Sequence, residues 1–187
     1  MLSVTKLSLS VLPLETDHSA FEPVQGSLQL LNKAILDLSH LTKGLHSDRI
    51  TQVGLTESIR FEIYALRKAG ILQANFHQEG DEIEFGEQKS IFLFRIFQES
   101  LNNILKHAQA TEVNVSLVYA ESLFTLEIND NGIGFSVEEK TQKASASAGV
   151  GLKSLFNRAK LIGADMSMTS TPGKGTTILI ELPLTTT

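Results

Sequence analysis

Apolar residues Val4, Leu7, Val11 and Leu14 recur at spacings of three and four. Leu28, Leu31, Ile35, Leu38 and Leu45 repeat the pattern, with Thr42 at one seam position. Such heptad-like stripes on two segments predict helices that bury one face each. Pro13 and the polar stretch Glu15 to Pro23 separate them, so the pair reads as an antiparallel helical hairpin that packs in a bundle. The second helix is expected to end between Gly44 and Asp48. Gly54-Leu55 then leads into a further helix, with Thr56 as its N-cap and Gly70 as the residue just past its end.

Beyond Gly70 the texture changes. Ile71 to His77 and Glu82 to Phe85 are predicted as short strands around the turn-like Glu79-Gly80-Asp81. Glu87 to Ala108 predicts a long helix with Phe97, Leu101 and Leu105 turned to a core. Thr111 to Tyr119 and Ser122 to Asn129 alternate with period two and predict a hairpin across Ala120-Glu121. Ser136 to Ala148 is small, polar and without period, as expected of a mobile loop. Val150 to Ile162 predicts a helix stopped at Gly163, and Ala164 to Thr171 and Thr176 to Leu182 predict the last two strands. No internal repeat is apparent. A helical piece followed by mixed strands and helices predicts an α+β domain carried on a helical hairpin.

Composition removes several classes of function. The length of 187 residues suits one sizeable domain with a smaller helical piece. A net charge of −5 gives no basic face for neutralising nucleic-acid phosphates, so direct nucleic-acid binding is not expected. The absence of cysteine excludes disulfides, thiol catalysis and Cys-ligated zinc. No apolar run approaches the ~18 residues of a membrane span. Met1 to Leu14 is broken by Lys6 and by hydroxyl residues, and no basic segment precedes it, so it does not read as a signal peptide. The sequon Asn114-Val115-Ser116 falls in a predicted strand and is read as structural.

Four elements carry candidate chemistry. On the long helix, Glu99, Asn103 and His107 are spaced by four and share one side, with Lys106 beside them. That stripe suits a solvated face, yet an asparagine oxygen also suits magnesium and a lysine suits phosphate. Asp130-Asn131-Gly132-Ile133-Gly134-Phe135 follows a strand. Alone it reads equally as an Asx turn or as a pocket corner, in which the carboxylate accepts from an exocyclic amine. Gly149-Val150-Gly151-Leu152 opens a helix and exposes N–H groups suited to an anion, or else is a plain hinge. It matches neither a P-loop nor a Rossmann pattern. Pro172-Gly173-Lys174-Gly175-Thr176-Thr177 is a hairpin turn whose threonines can also face a base.

In this order the four elements resemble the nucleotide-binding boxes of sensor histidine kinases. Gln98-Glu99-Ser100-Leu101-Asn102-Asn103 with Lys106-His107-Ala108 resembles the N box, Asp130 to Phe135 the G1 box, Gly149 to Leu152 the G2 box, and Gly173 to Thr176 the last glycine-threonine box. The Asn-Asn-x-x-Lys-His-Ala form is most similar to the NarX/DesK-like subfamily. Together with the closing Glu181-Leu182-Pro183 the boxes span about 70 to 184.

The resemblance implies a Bergerat-type α/β sandwich of the GHKL class with a flexible lid. It implies Mg²⁺ held by Asn103 and the adenine amine read by Asp130. Gly132 and Gly134 would shape the adenine pocket. Gly149, Gly151 and Leu152 would cover the phosphates, Lys106 and His107 would lie near them, and Thr176 would lie near the base. Glu99 would orient a magnesium-bound water or assist proton transfer. Residues 1–50 resemble a partial dimerisation hairpin and 51–187 the ATP-binding catalytic domain. The family's acceptor histidine lies upstream of the point that Val4 to Leu9 resembles. None of His18, His40 and His46 stands in its His-Asp or His-Glu context. The expectation is therefore a chain that binds ATP and Mg²⁺ without phosphorylating itself. The implied partners are a second copy through the hairpin and the receiver domain of a response regulator. The implied location is the cytoplasm, with any membrane anchor upstream. Alternatives are an anti-sigma-type serine kinase, a related ATPase, or a regulatory module that binds nucleotide without transfer.

Overall fold

The computed structural model describes residues 50–137 and 150–184. The chain divides into two units, Met1–Arg49 and Ile50–Thr187, and the described residues all belong to the second. The two heptad-like segments, His18, His40 and His46 lie outside the described residues, as does almost all of the Ser136–Ala148 loop. The elements in chain order are helix α1 (50–69), strand β1 (Gln73–Glu79), helix α2 (Glu87–Asn103) continued by a π-helical turn (Ile104–Ala108), β2 (Glu112–Tyr119), β3 (Leu123–Asp130), α3 (Val150–Leu161), β4 (Asp165–Ser170) and β5 (Thr176–Pro183).

The strands form one five-stranded sheet in the order β1-β2-β3-β5-β4. β1 runs parallel to β2, which requires the crossover that α2 supplies, and the other neighbours are antiparallel. Period-two alternation buries one face only. Val113, Val115, Leu117 and Tyr119 of β2 share it with Phe124, Leu126, Ile128 and Asp130 of β3. Ile178, Ile180 and Leu182 of β5 complete it. Against them α2 buries Leu93, Phe94, Ile96, Phe97 and Leu101, and α3 buries Leu155 and Ala159. This is the expected α+β sandwich.

The register turns that face into cross-strand rows. Val115, Ile128, Ile178 and Met168 stand abreast, and so do Val113, Asp130, Thr176 and Ser170. The first row is apolar. The second is polar from Asp130 onward, at the very end of the sheet.

Three expectations need correction. Glu82 to Phe85 is not a strand. Its two outer residues are used for tertiary contacts. Phe85 packs on Tyr119 and Phe124 with ring centroids 5.9 and 4.7 Å away, and Glu82 reaches α1. Thr56 is not a side-chain cap either. α1 leaves regular helical geometry at Gly54 (φ 84°) and restarts with Glu82 Oε1 accepting the Thr56 N–H at 3.1 Å. The Thr56 hydroxyl instead meets the Tyr119 phenol at 2.7 Å. Lastly, Leu105 does not join the core and is 42% exposed, whereas Ile104 is buried. The π turn is the cause, because its wider winding rotates later residues away from the 3.6-residue pattern. Gly70 (φ 64°) ends α1 as expected, and its N–H bonds Arg67 O at 3.1 Å.

The Thr56–Tyr119 pair gives a stability test. Both residues are buried. Tyr119→Phe strands a buried hydroxyl, a loss of about 1–3 kcal/mol that a shift in urea midpoint would register. Burial pushes the Tyr119 phenol from 10.0 up to about 12, against the smaller lowering by the Thr56 hydrogen bond, with the Glu82 charge adding to the rise. A raised folded pKa means that this stabilisation is complete below pH 10.0 and is lost as pH rises through about 12. The variant should lack that alkaline component.

Candidate nucleotide pocket

Between the end of α2 and the polar end of the sheet lies a cavity of about 500 Å³. Met168, Ile178 and Ile128 form an apolar strip of its floor, and Asp130 and Thr176 form a polar strip beside it. Ser100, Asn103, Ile104, His107 and Ala108 face these strips from the helix. Ile133, Gly134 and Phe135 close one side, and Leu152 of α3 reaches in from another. A flat apolar slot with a few polar groups at one end suits an aromatic ring with a polar edge.

Asp130 sits at that end because β3 alternates. As the fourth inward position after Phe124, Leu126 and Ile128, it is only 2% exposed. Its Oδ1 accepts the Gly132 N–H at 2.8 Å. Burial pushes its carboxyl above the usual 3.8, while hydrogen bonds from the Gly132 and Thr176 backbone N–H groups pull it back. A buried carboxylate held by backbone donors keeps its remaining lone pairs for a ligand.

The corner is braced from three directions. Asn131, which faces away, accepts the Thr111 and Glu112 N–H groups at 2.9 Å each and donates to Thr111 Oγ1 at 2.9 Å. Ile133 N–H donates to Ala108 O at 2.8 Å, and the Gly173 N–H donates to Ile133 O at 2.7 Å. Gly132 and Gly134 have no room for a side chain. A Cβ would lie 2.3 Å from Ala108 O at the first and 2.1 Å from Thr171 O at the second. Thus the end of α2 and the β4–β5 turn both clamp the hexapeptide.

Among the sequence-predicted residues, Asn103, His107, Asp130, Gly134, Leu152 and Thr176 converge on this cavity. Gly132 stands one residue from its wall. Glu99 is half-buried and Lys106 exposed, and both lie outside the wall. Gly151 is in the first turn of α3, and Gly149 lies outside the described residues. Sequence reasoning missed Asn131, Ser170 and the lining Ser100. Asn131 reads as an ordinary turn residue, Ser170 as a strand residue and Ser100 as helix interior. Only the register across four strands would have singled out Ser170.

The family model described as "Histidine kinase-, DNA gyrase B-, and HSP90-like ATPase" matches residues 88–186. "Signal transduction histidine-protein kinase/phosphatase DegS" of Brevibacillus brevis is 28% identical over 89% of this chain and 42% of its own length. "Sensor protein VraS" of Staphylococcus epidermidis is 33% identical over 87% of this chain and 46% of its own length. The chain therefore spans less than half of these curated relatives. A solved histidine kinase domain from a blue-light activated kinase of Erythrobacter litoralis superposes with a TM-score of 0.58 over 98% of this chain and 94% of that one. At 15% identity this shows a shared fold. With the matched segment covering the helix, the hexapeptide and the closing hairpin that build the cavity, the chain belongs to the histidine kinase-, DNA gyrase B- and HSP90-like ATPase family.

Proposed function

We propose that this chain is the ATP-binding catalytic region of a two-component sensor histidine kinase, presenting the γ-phosphate of Mg·ATP to a histidine on a separate helix. One observation carries the reading: Asn103, Asp130 with Gly134, Leu152 and Thr176, from four separate segments, line a single cavity. Phosphoryl transfer is mainly positioning and charge stabilisation, and the wall supplies both. The apolar row under the slot accepts the base face. Asp130 accepts from the exocyclic amine. The N–H groups of the first turn of α3 favour phosphate, as at any helix start. His107, at the open helix end, and Lys106 beside it add positive or donor groups toward the phosphates.

The donor set also fits magnesium. Asn103 is half-buried and lines the cavity, and its carboxamide oxygen is the hard donor such an ion takes, with phosphate and water completing the shell. The ion would supply charge neutralisation of the phosphates. Glu99, one helical turn before Asn103, is assigned the orientation of an ion-bound water. Pairing through residues 1–50 with a second copy and docking of a response-regulator receiver domain belong to the same proposal. Among the described residues no helix is long and apolar enough to cross a membrane.

Labelled ATP and a separate acceptor-helix hairpin from a relative provide the test, with phosphohistidine as the readout. Failure to bind nucleotide at millimolar ATP and Mg²⁺ would sink the proposal. Asn103→Ala should lower magnesium-dependent transfer about 30-fold, the loss of one strong ligand contact. Affinity measured in the presence of EDTA should change less than about threefold. Equal losses with and without magnesium would remove Asn103 from the metal.

A further inference from the structure

The polar row at the end of the sheet holds a side chain that no nucleotide box accounts for. Ser170 ends β4 directly opposite Thr176 in the register. Its Oγ lies 2.9 Å from the Phe135 N–H, 3.1 Å from Gly175 O and 2.9 Å from Thr176 Oγ1. A serine hydroxyl has one proton and two lone pairs. The Phe135 N–H can only donate, and the Gly175 carbonyl can only accept. All three contacts are hydrogen bonds in one arrangement alone: Ser170 accepts from Phe135, donates to Gly175 O, and accepts the proton of Thr176. The alternative, with Ser170 donating to Thr176, sets its lone pairs against a carbonyl.

That arrangement has a consequence inside the cavity. The single hydroxyl proton of Thr176 is drawn away toward Ser170, so Thr176 Oγ1 offers only lone pairs to a ligand. The neighbouring Asp130 carboxylate, already holding the Gly132 and Thr176 N–H groups, also offers only lone pairs. We infer that Ser170 is a positioning residue for base selection: by fixing the Thr176 hydroxyl as an acceptor, it makes the base corner acceptor-only. Such a corner accepts from the exocyclic amine of a 6-aminopurine and opposes the carbonyl oxygen that a 6-oxopurine carries at the same position. Ser170 does this without touching the ligand, and it couples the choice to the Phe135 backbone and hence to the hexapeptide turn. The inference rests on the nucleotide-binding reading above.

Competition titrations of ATP against inosine triphosphate, with the wild-type chain and with Ser170→Ala, test it. The wild type should prefer ATP at least about 30-fold, the discrimination expected of a site with fixed hydrogen-bond polarity. In Ser170→Ala the Thr176 proton is released to face the cavity. ATP should then weaken about 3- to 10-fold, one hydrogen bond's worth. Inosine triphosphate should hold or tighten, so that the preference collapses. Ser170→Thr, which keeps the hydroxyl, should restore it. Equal weakening of both nucleotides in Ser170→Ala would assign Ser170 a merely structural role and overturn the inference. A wild type that binds both equally would overturn it while leaving the nucleotide reading intact. A wild type that binds neither would remove the nucleotide reading itself. Should Ser170→Ala fail to fold, Thr176→Val decides. It keeps the shape and deletes the acceptor, so loss of the preference supports the inference and an unchanged preference defeats it.

Discussion

Asp130→Asn is expected to reduce nucleotide affinity about 100-fold or more while leaving a folded protein, the scale set by losing a charged, buried hydrogen-bond partner. The reason is a mismatch of donors. The Asp130 carboxylate receives two backbone N–H groups, from Gly132 and Thr176, and still has lone pairs toward the cavity. A carboxamide has one acceptor and one donor group. Whichever way it turns, its NH₂ faces either a backbone N–H or the amine of the base. Calorimetric titration with ATP measures the loss, and a circular dichroism melt checks the fold. An unchanged affinity would remove Asp130 from the base corner.

The same substitution separates two opposite responses to acid. Burial raises the Asp130 carboxyl above 3.8 in the folded protein. A raised carboxyl contributes stability that is complete below 3.8 and is lost as pH rises through its folded pKa. Acidification through that window should therefore stabilise the unliganded wild type relative to Asp130→Asn. Nucleotide affinity should fall over the same window, because a protonated carboxyl can no longer accept on both oxygens.

Gly175→Ala is expected to be the more damaging change to the fold, by about 3 kcal/mol or more, since overpacking against backbone adds to left-handed strain. Gly175 has φ 78°, and a Cβ there would lie 1.9 Å from Asp130 O. A backbone carbonyl in the sheet cannot swing aside as a side chain can. The turn would move, taking Thr176 and the Ser170 contacts with it. Gly173 is the control. Its φ is 79°, but a Cβ there meets nothing within 4 Å, so Gly173→Ala should cost only about 1–2 kcal/mol of strain. Urea unfolding of both variants, with ATP titration of each, tests the contrast. Equal losses would mean that the close approach to Asp130 carries no weight.

The elements with clean periodicity were legible in the sequence. The β2–β3 hairpin, the helix from Val150 and the closing strands follow from period two or 3.6, because one face of each is buried against the same core. What escaped has specific causes. The π turn leaves no mark on the apolar pattern, so that pattern points Leu105 to a core that Ile104 occupies. The Thr56 cap lost to Glu82, a partner 26 positions away that local rules cannot see. Phe85 has strand-like character because it joins an aromatic cluster, not because its backbone pairs. In the site, Asp130 and Thr176 stand out by their place in glycine-rich boxes. Ser170 does not, because its significance lies in a cross-strand neighbour and in the direction of one proton.

The strand order has a consequence for how this protein is made. β5 is the last of the described elements, yet it pairs with β3 on one side and β4 on the other. A ribosome delivers α2 and the β2–β3 hairpin well before it. Until residues 176–183 emerge, β3 presents an unpaired edge beside an apolar face, the arrangement that recruits foreign strands. A chain stopped just short of this strand would lose both of its pairings. It would leave a half-closed sheet with Asp130 on an open edge, a species for chaperones and proteases to handle.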